Sequence, residues 1–158
     1  MADSSISFSA IYEEHAPAVF RCLLAWSRNY ALAEDLLADT FVRAITAESE
    51  IQSPTARGYL VAIARNLWFE NLRRGRKQPS TPPSAAHMHP DKAIELERVL
   101  MALEALPETL RDPLVLYAQG GLSYEEISAQ LNIPMATVKV RIFTVRMCRA
   151  RQKLETIR

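Results

Sequence analysis

Two stretches of this chain gather the side chains that hold phosphate. Between residues 57 and 77, Arg57, Arg65, Arg73, Arg74, Arg76 and Lys77 face a single acid, Glu70. Between residues 127 and 158, seven cations, with Lys139, Arg141 and Arg146 at their head, face only Glu155. The remaining chain is acidic to a similar degree. Residues 1–56 and 78–126 each carry a net charge of −5, against +5 and +6 for the two basic blocks. The formal total of +1 therefore conceals two separate cationic surfaces, each backed by an acidic one, as in proteins that grip a polyanion. Other chemistries lack their residues. There is no glycine-rich phosphate loop and no nucleophile–base pair in a motif context, so no enzyme and no cofactor are expected. His87 and His89 have no cysteine or acid cluster beside them to complete the four-ligand frame of zinc, so no metal is expected either.

The second basic block has a recognisable scaffold in "SYEEISAQLNIPMATVKVRI", Ser123 to Ile142. Ser123 with Glu126 three residues later forms a capping box, which starts a helix. Tyr124, Ile127 and Leu131 fall on its inner face, Asn132 makes the turn, and Pro134 opens a second helix; the layout is a helix-turn-helix. At 3.6 residues per turn the second helix carries two apolar stripes. Met135, Val138, Ile142 and Val145 form the one expected to pack on the preceding helix. Ala136, Val140, Phe143 and Met147 form the other, on the outside, flanked by Lys139, Thr144, Arg146 and Arg151. An outward apolar stripe between cations can meet thymine methyl groups in a major groove while the cations meet phosphate. Cover by a protein partner is the other use open to it.

Helices must position the first block as well. Phe8, Ile11, Tyr12, His15, Val19, Cys22, Leu23 and Trp26 recur at steps of three and four, with Pro17 predicting a bend or a break. His15 lies on that stripe as a packing residue. "ALAEDLLADTFVRAITA" turns Ala33, Leu36, Leu37, Phe41, Ala44 and Ile45 inward and leaves Glu34, Asp35 and Asp39 as an acidic flank. After a loop around Pro54, "ARGYLVAIARNLWFENLRRGRK" turns Leu60, Ile63, Leu67 and Leu72 inward. Residues 78–90, "QPSTPPSAAHMHP", hold four prolines and no charge, the composition of an extended linker. Beyond it, Ile94, Leu96, Val99, Leu100, Leu103 and Leu106 mark a fourth helix. Pro107 opens a fifth, Pro113 predicts a kink in it, and Gly120 and Gly121 end it. The expected fold class is all-α: two small helical domains, 1–77 and 91–158, on a flexible linker. No apolar run can span a bilayer and no secretory signal pattern opens the chain, so no membrane insertion is expected. Two distant cysteines make no disulfide framework, and a cytoplasmic location is the expectation.

In order, these pieces resemble an extracytoplasmic-function (ECF, group IV) RNA polymerase sigma factor. "YEEHAPAVFR", "AEDLLADTFVRA" and "YLVAIARNLWFENLRRGRK" are similar to sigma region 2. "LEALPETLRDPLVLYAQGGLSYEEISAQLNIPMATVKVRI" is similar to region 4. The resemblance implies a protein that binds core RNA polymerase at its clamp and flap, recognises and melts promoter DNA, and is held by an anti-sigma factor. It assigns core-polymerase binding to Glu34, Asp35, Leu36, Asp39 and Phe41, with the two apolar residues as contact or support. It assigns the −10 element to Arg57, Tyr59, Arg65, Asn66, Phe69, Arg73 and Arg74, beside the loop "TAESEIQSPT". It assigns the −35 element to Thr137, Lys139, Val140, Arg141, Phe143, Thr144 and Arg146. The chain departs from the family's usual residues at Ala38 (Gln), Tyr59 (Trp), Glu70 (Asp), Val140 (Ser) and Thr144 (a basic residue). Two other readings stay open: a helix-turn-helix regulator that binds DNA without polymerase, and a sigma mimic that sequesters an anti-sigma factor.

Overall fold

The computed structural model describes residues 4–46, 55–75 and 90–157, and among them every regular element is a helix. The loop 47–54 and the segment 76–89, which contains His87, His89 and most of the proline-rich stretch, lie outside the described residues. Helices α1 (Ser4–Ser27), α2 (Tyr30–Thr46) and α3 (Ala56–Arg73) pack on one another. Their shared core is built from Val19, Leu23, Ala33, Leu36, Phe41, Leu60, Ile63 and Leu67. Pro17 neither breaks nor splits α1. Its ring lies on the exposed face, where water can serve the carbonyl that loses its donor. The turn into α2 is made by Arg28, whose φ of 52° is left-handed and whose N–H donates to the Leu24 carbonyl at 2.8 Å. Asn29 then caps α2 by accepting the Leu32 N–H at 3.0 Å, and Thr55 caps α3 by accepting the Gly58 N–H at 3.1 Å.

The second half comprises α4 (Pro90–Glu104), α5 (Glu108–Leu114), α6 (Tyr124–Leu131) and α7 (Met135–Ile157). Pro113 stands inside α5. It is buried, and just after it the helix widens into a π turn over Val115–Gln119, in which the Gly120 N–H reaches back five residues to the Val115 carbonyl at 3.0 Å. Gly121, at φ 67°, then turns the chain toward α6.

The two halves do not stand apart in the structure. The π turn lies directly on α1, and Cys22, Val115, Leu116 and Gly120 meet there with no side-chain surface left to water on the first three. Cys22 Sγ is 3.9 Å from the Val115 carbonyl oxygen. Gly120 permits this approach: a Cβ on it would lie 2.7 Å from the Leu116 carbonyl oxygen and 3.2 Å from Cys22 Sγ. Several residues expected inside lie outside: Phe8, Tyr12, Ile45, Leu72, Ile94, Val99 and Met135 are all exposed. Periodicity located the right helices there but drew the buried stripes too wide.

The glycine offers a test. Gly120→Ala forces a methyl group against backbone and against Cys22, an overpacking that costs about 1–3 kcal/mol. The midpoint of urea unfolding should fall accordingly. An unchanged midpoint would mean that the π turn and α1 are not in contact in solution.

Candidate functional site

The helix-turn-helix is built locally. Ser123 Oγ accepts the Glu126 N–H at 3.2 Å and donates to Glu126 Oε1 at 3.2 Å, joining both members of the capping pair. Asn132 ends α6 in the left-handed conformation, φ 54° and ψ 47°. Ser128 Oγ donates to the Ile133 carbonyl at 2.6 Å and holds the turn. This arrangement sets the roll of α7. Val138 and Ile142 are fully buried against the preceding helices, while Val140 and Phe143 keep more than 60% of their surface and Met147 nearly half. Ala136, Lys139 and Thr144 are exposed beside them, and Thr137 and Arg141 are half-buried. The Thr144 hydroxyl is turned back onto the Val140 carbonyl at 2.8 Å. Arg146 lies over the Tyr117 ring at 5.4 Å and donates to its hydroxyl at 3.3 Å, so its guanidinium is anchored at the edge of the stripe.

The cations of α3 are less free than their sequence suggests. Arg57 donates from Nε to His15 Nδ1 at 3.1 Å and from Nη2 to the Glu14 carbonyl at 3.1 Å. Burial holds the His15 imidazole below its usual pKa, with Glu14 opposing and Arg57 assisting, and this favours the neutral ring that accepts the Arg57 hydrogen bond. Arg65 lies over the Phe69 ring at 4.6 Å and 3.7 Å from Asp112 of α5. Tyr59 and Trp68 are half-buried against the core, whereas Asn66, Arg73 and Arg74 are exposed. The open cationic surface of α3 is therefore its C-terminal end. Its N-terminal end is occupied by α6: Gln130 Nε2 donates to the Gly58 carbonyl at 3.0 Å, and the Thr55 hydroxyl donates to Glu126 Oε2 at 2.7 Å.

On α2, Glu34, Asp35 and Asp39 form an exposed acidic edge. Leu36 and Phe41 lie in the core, and Phe41 meets the Tyr12 ring edge-on at 4.7 Å, so both sit beneath the acidic edge. Beside the acids is a feature that periodicity could not reveal, a cleft of ≈ 410 Å³ between α2 and α3 lined by Asp35, Ala38, Asp39, Arg43, Glu70, Asn71 and Arg74, among others. Ala38 presents only a methyl group to it, and Arg43 pairs with Glu70 across its wall at 3.2 Å. Among the described residues no helix is long and apolar enough to cross a membrane, and no three His, Cys, Asp or Glu side chains come together as a metal site.

A three-helix unit followed by a helix-turn-helix unit, each with a basic face, is the architecture of sigma factors of RNA polymerase. The chain matches Sigma-70 region 2 over residues 11–78 and Sigma-70 region 4 over residues 96–154. It is 33% identical to the RNA polymerase sigma factor CarQ of Myxococcus xanthus, over 85% of this chain and 82% of that one. It is 29% identical to the ECF RNA polymerase sigma factor SigM of Bacillus subtilis, over 96% of this chain and 95% of that one. Against the ECF sigma factor SigE of Mycolicibacterium smegmatis identity is 32% over 94% of this chain, which spans only 60% of that longer relative. The chain belongs to the ECF family of RNA polymerase sigma factors. Its fold is that of the sigma factor RpoE from Bartonella quintana, solved with the anti-sigma factor NepR (TM-score 0.74, 24% identity, 96% of this chain and 99% of that one). It is also that of CnrH, solved with the cytosolic domain of CnrY (TM-score 0.69, 24% identity, 99% and 90%).

The roll of α7 is testable with neighbouring residues. Ile142→Ala should cost about 2–5 kcal/mol of folding stability, because it opens a cavity in a packed site. Phe143→Ala should stay within about 0.5 kcal/mol of wild type, because its ring touches little protein. Denaturation curves in which Phe143→Ala is the more damaging would show the helix rolled the other way.

Proposed function

We propose that this protein is a promoter-specificity subunit, which binds core RNA polymerase and directs promoter recognition, DNA melting and the start of transcription. The observation that carries the proposal is the division of labour between α2 and α7. An exposed acidic edge on α2 belongs to the same chain as an exposed, cation-flanked apolar stripe on the second helix of a helix-turn-helix. An autonomous DNA-binding regulator has no use for the first. On this reading Glu34, Asp35 and Asp39 meet a basic surface of core polymerase, supported from beneath by Leu36 and Phe41. Asn66, Phe69, Arg73 and Arg74 engage the −10 region, where unstacked bases and freed strand need aromatic and cationic partners. Arg57, Tyr59 and Arg65 join them once released from their present contacts. Thr137, Lys139, Val140, Arg141, Phe143, Thr144 and Arg146 read the −35 major groove, with Val140 and Phe143 suited to thymine methyl groups. The chain performs no catalysis of its own and works in the cytoplasm, where the polymerase is. The Bartonella quintana relative is solved with an anti-sigma factor, and a partner of that kind fits this chain too.

Two variants separate the roles. Reversing Asp35 and Asp39 to Lys should weaken competition for core enzyme by about 1.5–3 kcal/mol for each charge-assisted hydrogen bond removed, with helicity retained. Phe143→Ala should leave that competition unchanged and lower transcription in vitro from the cognate promoter, by about as much as a mismatched base pair, ~1–3 kcal/mol. A double reversal that competes like wild type would remove α2 from the polymerase interface. Tight, polymerase-independent binding to duplex promoter DNA would point to the autonomous regulator.

A further inference from the structure

We propose that Tyr117 and Tyr124 form a stacked platform that fixes Arg146 as a clamp for one backbone phosphate of duplex DNA, at the wall of the groove that α7 enters. The idea rests on the −35 reading above and adds to it a site indifferent to sequence, with two tyrosines as positioning residues. Tyr117 lies in the π turn, Tyr124 is the first residue of α6, and Arg146 stands midway along α7. The two phenol rings stack at 5.3 Å with 24° between their planes. The Arg146 guanidinium lies 5.4 Å from the centre of the Tyr117 ring, and its Nη2 donates to the Tyr117 hydroxyl at 3.3 Å. Three elements of the second half thus converge on one cation.

That cation is held without being neutralised. Arg43 and Arg65 each face a carboxylate, whereas among the described residues no acid stands within ion-pair distance of Arg146. An aromatic face and a hydroxyl hold it instead, and both leave its charge intact. The side chain is exposed, and a guanidinium has further N–H donors in a planar fork that matches two oxygens of a phosphate. A long side chain in water loses rotamer freedom when it is fixed on a ligand. Here the ring and the hydroxyl have already removed part of that freedom, so less is lost on binding. The place of Arg146 on the helix decides between phosphate and base. At 3.6 residues per turn it lies roughly 100° around α7 from the middle of the Val140, Phe143 and Met147 stripe. Lys139, seven residues earlier and also exposed, borders the stripe on the same edge. A side chain turned that far from the base-facing surface meets the wall of the groove, where the phosphates of one strand run.

The test uses the full-length chain and two mixed-sequence DNA duplexes unrelated to each other, read by fluorescence anisotropy over a series of salt concentrations. Arg146→Ala should weaken binding to both duplexes by the same factor, on the order of tenfold, and should reduce the slope of log affinity against log salt by about 0.9, the share of one phosphate. Arg149→Ala removes the same charge from the opposite face, because the exposed Arg149 is seven residues on from the buried Ile142. It should leave affinity and slope nearly unchanged. Tyr117→Phe keeps the ring and its stack on Tyr124 and loses the hydroxyl, while Arg146→Lys keeps the charge and loses the planar fork. Each should retain the wild-type salt slope and bind about three- to tenfold more weakly. In a chain that already carries Arg146→Ala, Tyr117→Phe should have no further effect, as a residue acting through the arginine requires. Wild-type affinity in either conservative variant, a loss confined to one duplex, or a wild-type chain that binds neither duplex at low salt would overturn the proposal. Transcription by wild-type protein with purified core polymerase is scored separately. Its absence counts against the functional reading, whatever the duplexes show.

Discussion

The arrangement depends on the seat of one π turn on one helix. Val115, Leu116 and Gly120 reach α1 at Cys22 because the turn widens the backbone there and because Gly120 has no side chain. Each fully buried aliphatic side chain of this kind is worth about 1.5–3 kcal/mol of hydrophobic stabilisation. Burial pushes the Cys22 thiol up to about 12, so it stays neutral and packs as a small apolar group. The seat fixes where α5 and α6 lie over α3, and hence which of the α3 cations remain open.

Electrostatics then acts on a geometry it did not create. Acidic and basic blocks alternate along the chain, and the fold brings the acids of α4, α5 and α6 onto Arg28, Arg65 and Thr55 of the first half. These contacts are part-exposed or offset by desolvation, so apolar packing supplies most of the cohesion and the ion pairs supply register and specificity. What stays in water is the functional inventory: the acids of α2, the end of α3 with Arg73 and Arg74, and the outer stripe of α7. The near-neutral total is compatible with two basic faces.

Features governed by neighbours in sequence were legible before the fold. Ser123 with Glu126, the left-handed Asn132 and the outward Val140 and Phe143 stand as the local rules require, because capping, turn conformation and helical roll are settled within a few residues. Features that join distant segments were not. Nothing near Arg65 announces Asp112, and nothing near Arg57 announces His15, since a charged residue on a polar face looks alike whether water or another helix lies beyond it. The widened turn that follows Pro113 was not announced either, because it is settled by the packing of Val115 and Leu116 on α1. The cleft beside Ala38 is likewise a property of two helices together.

The chain carries its own reporter of whether the halves are closed. Cys22 is sealed beneath the π turn, while Cys148 on α7 is exposed. Thiol alkylation of both, followed by peptide mass spectrometry, reads the two rates in one sample. Cys148 should react quickly and Cys22 only through rare opening, many times more slowly. A Cys22 that reacts as fast as Cys148 in the folded chain would contradict the seat of the π turn on α1.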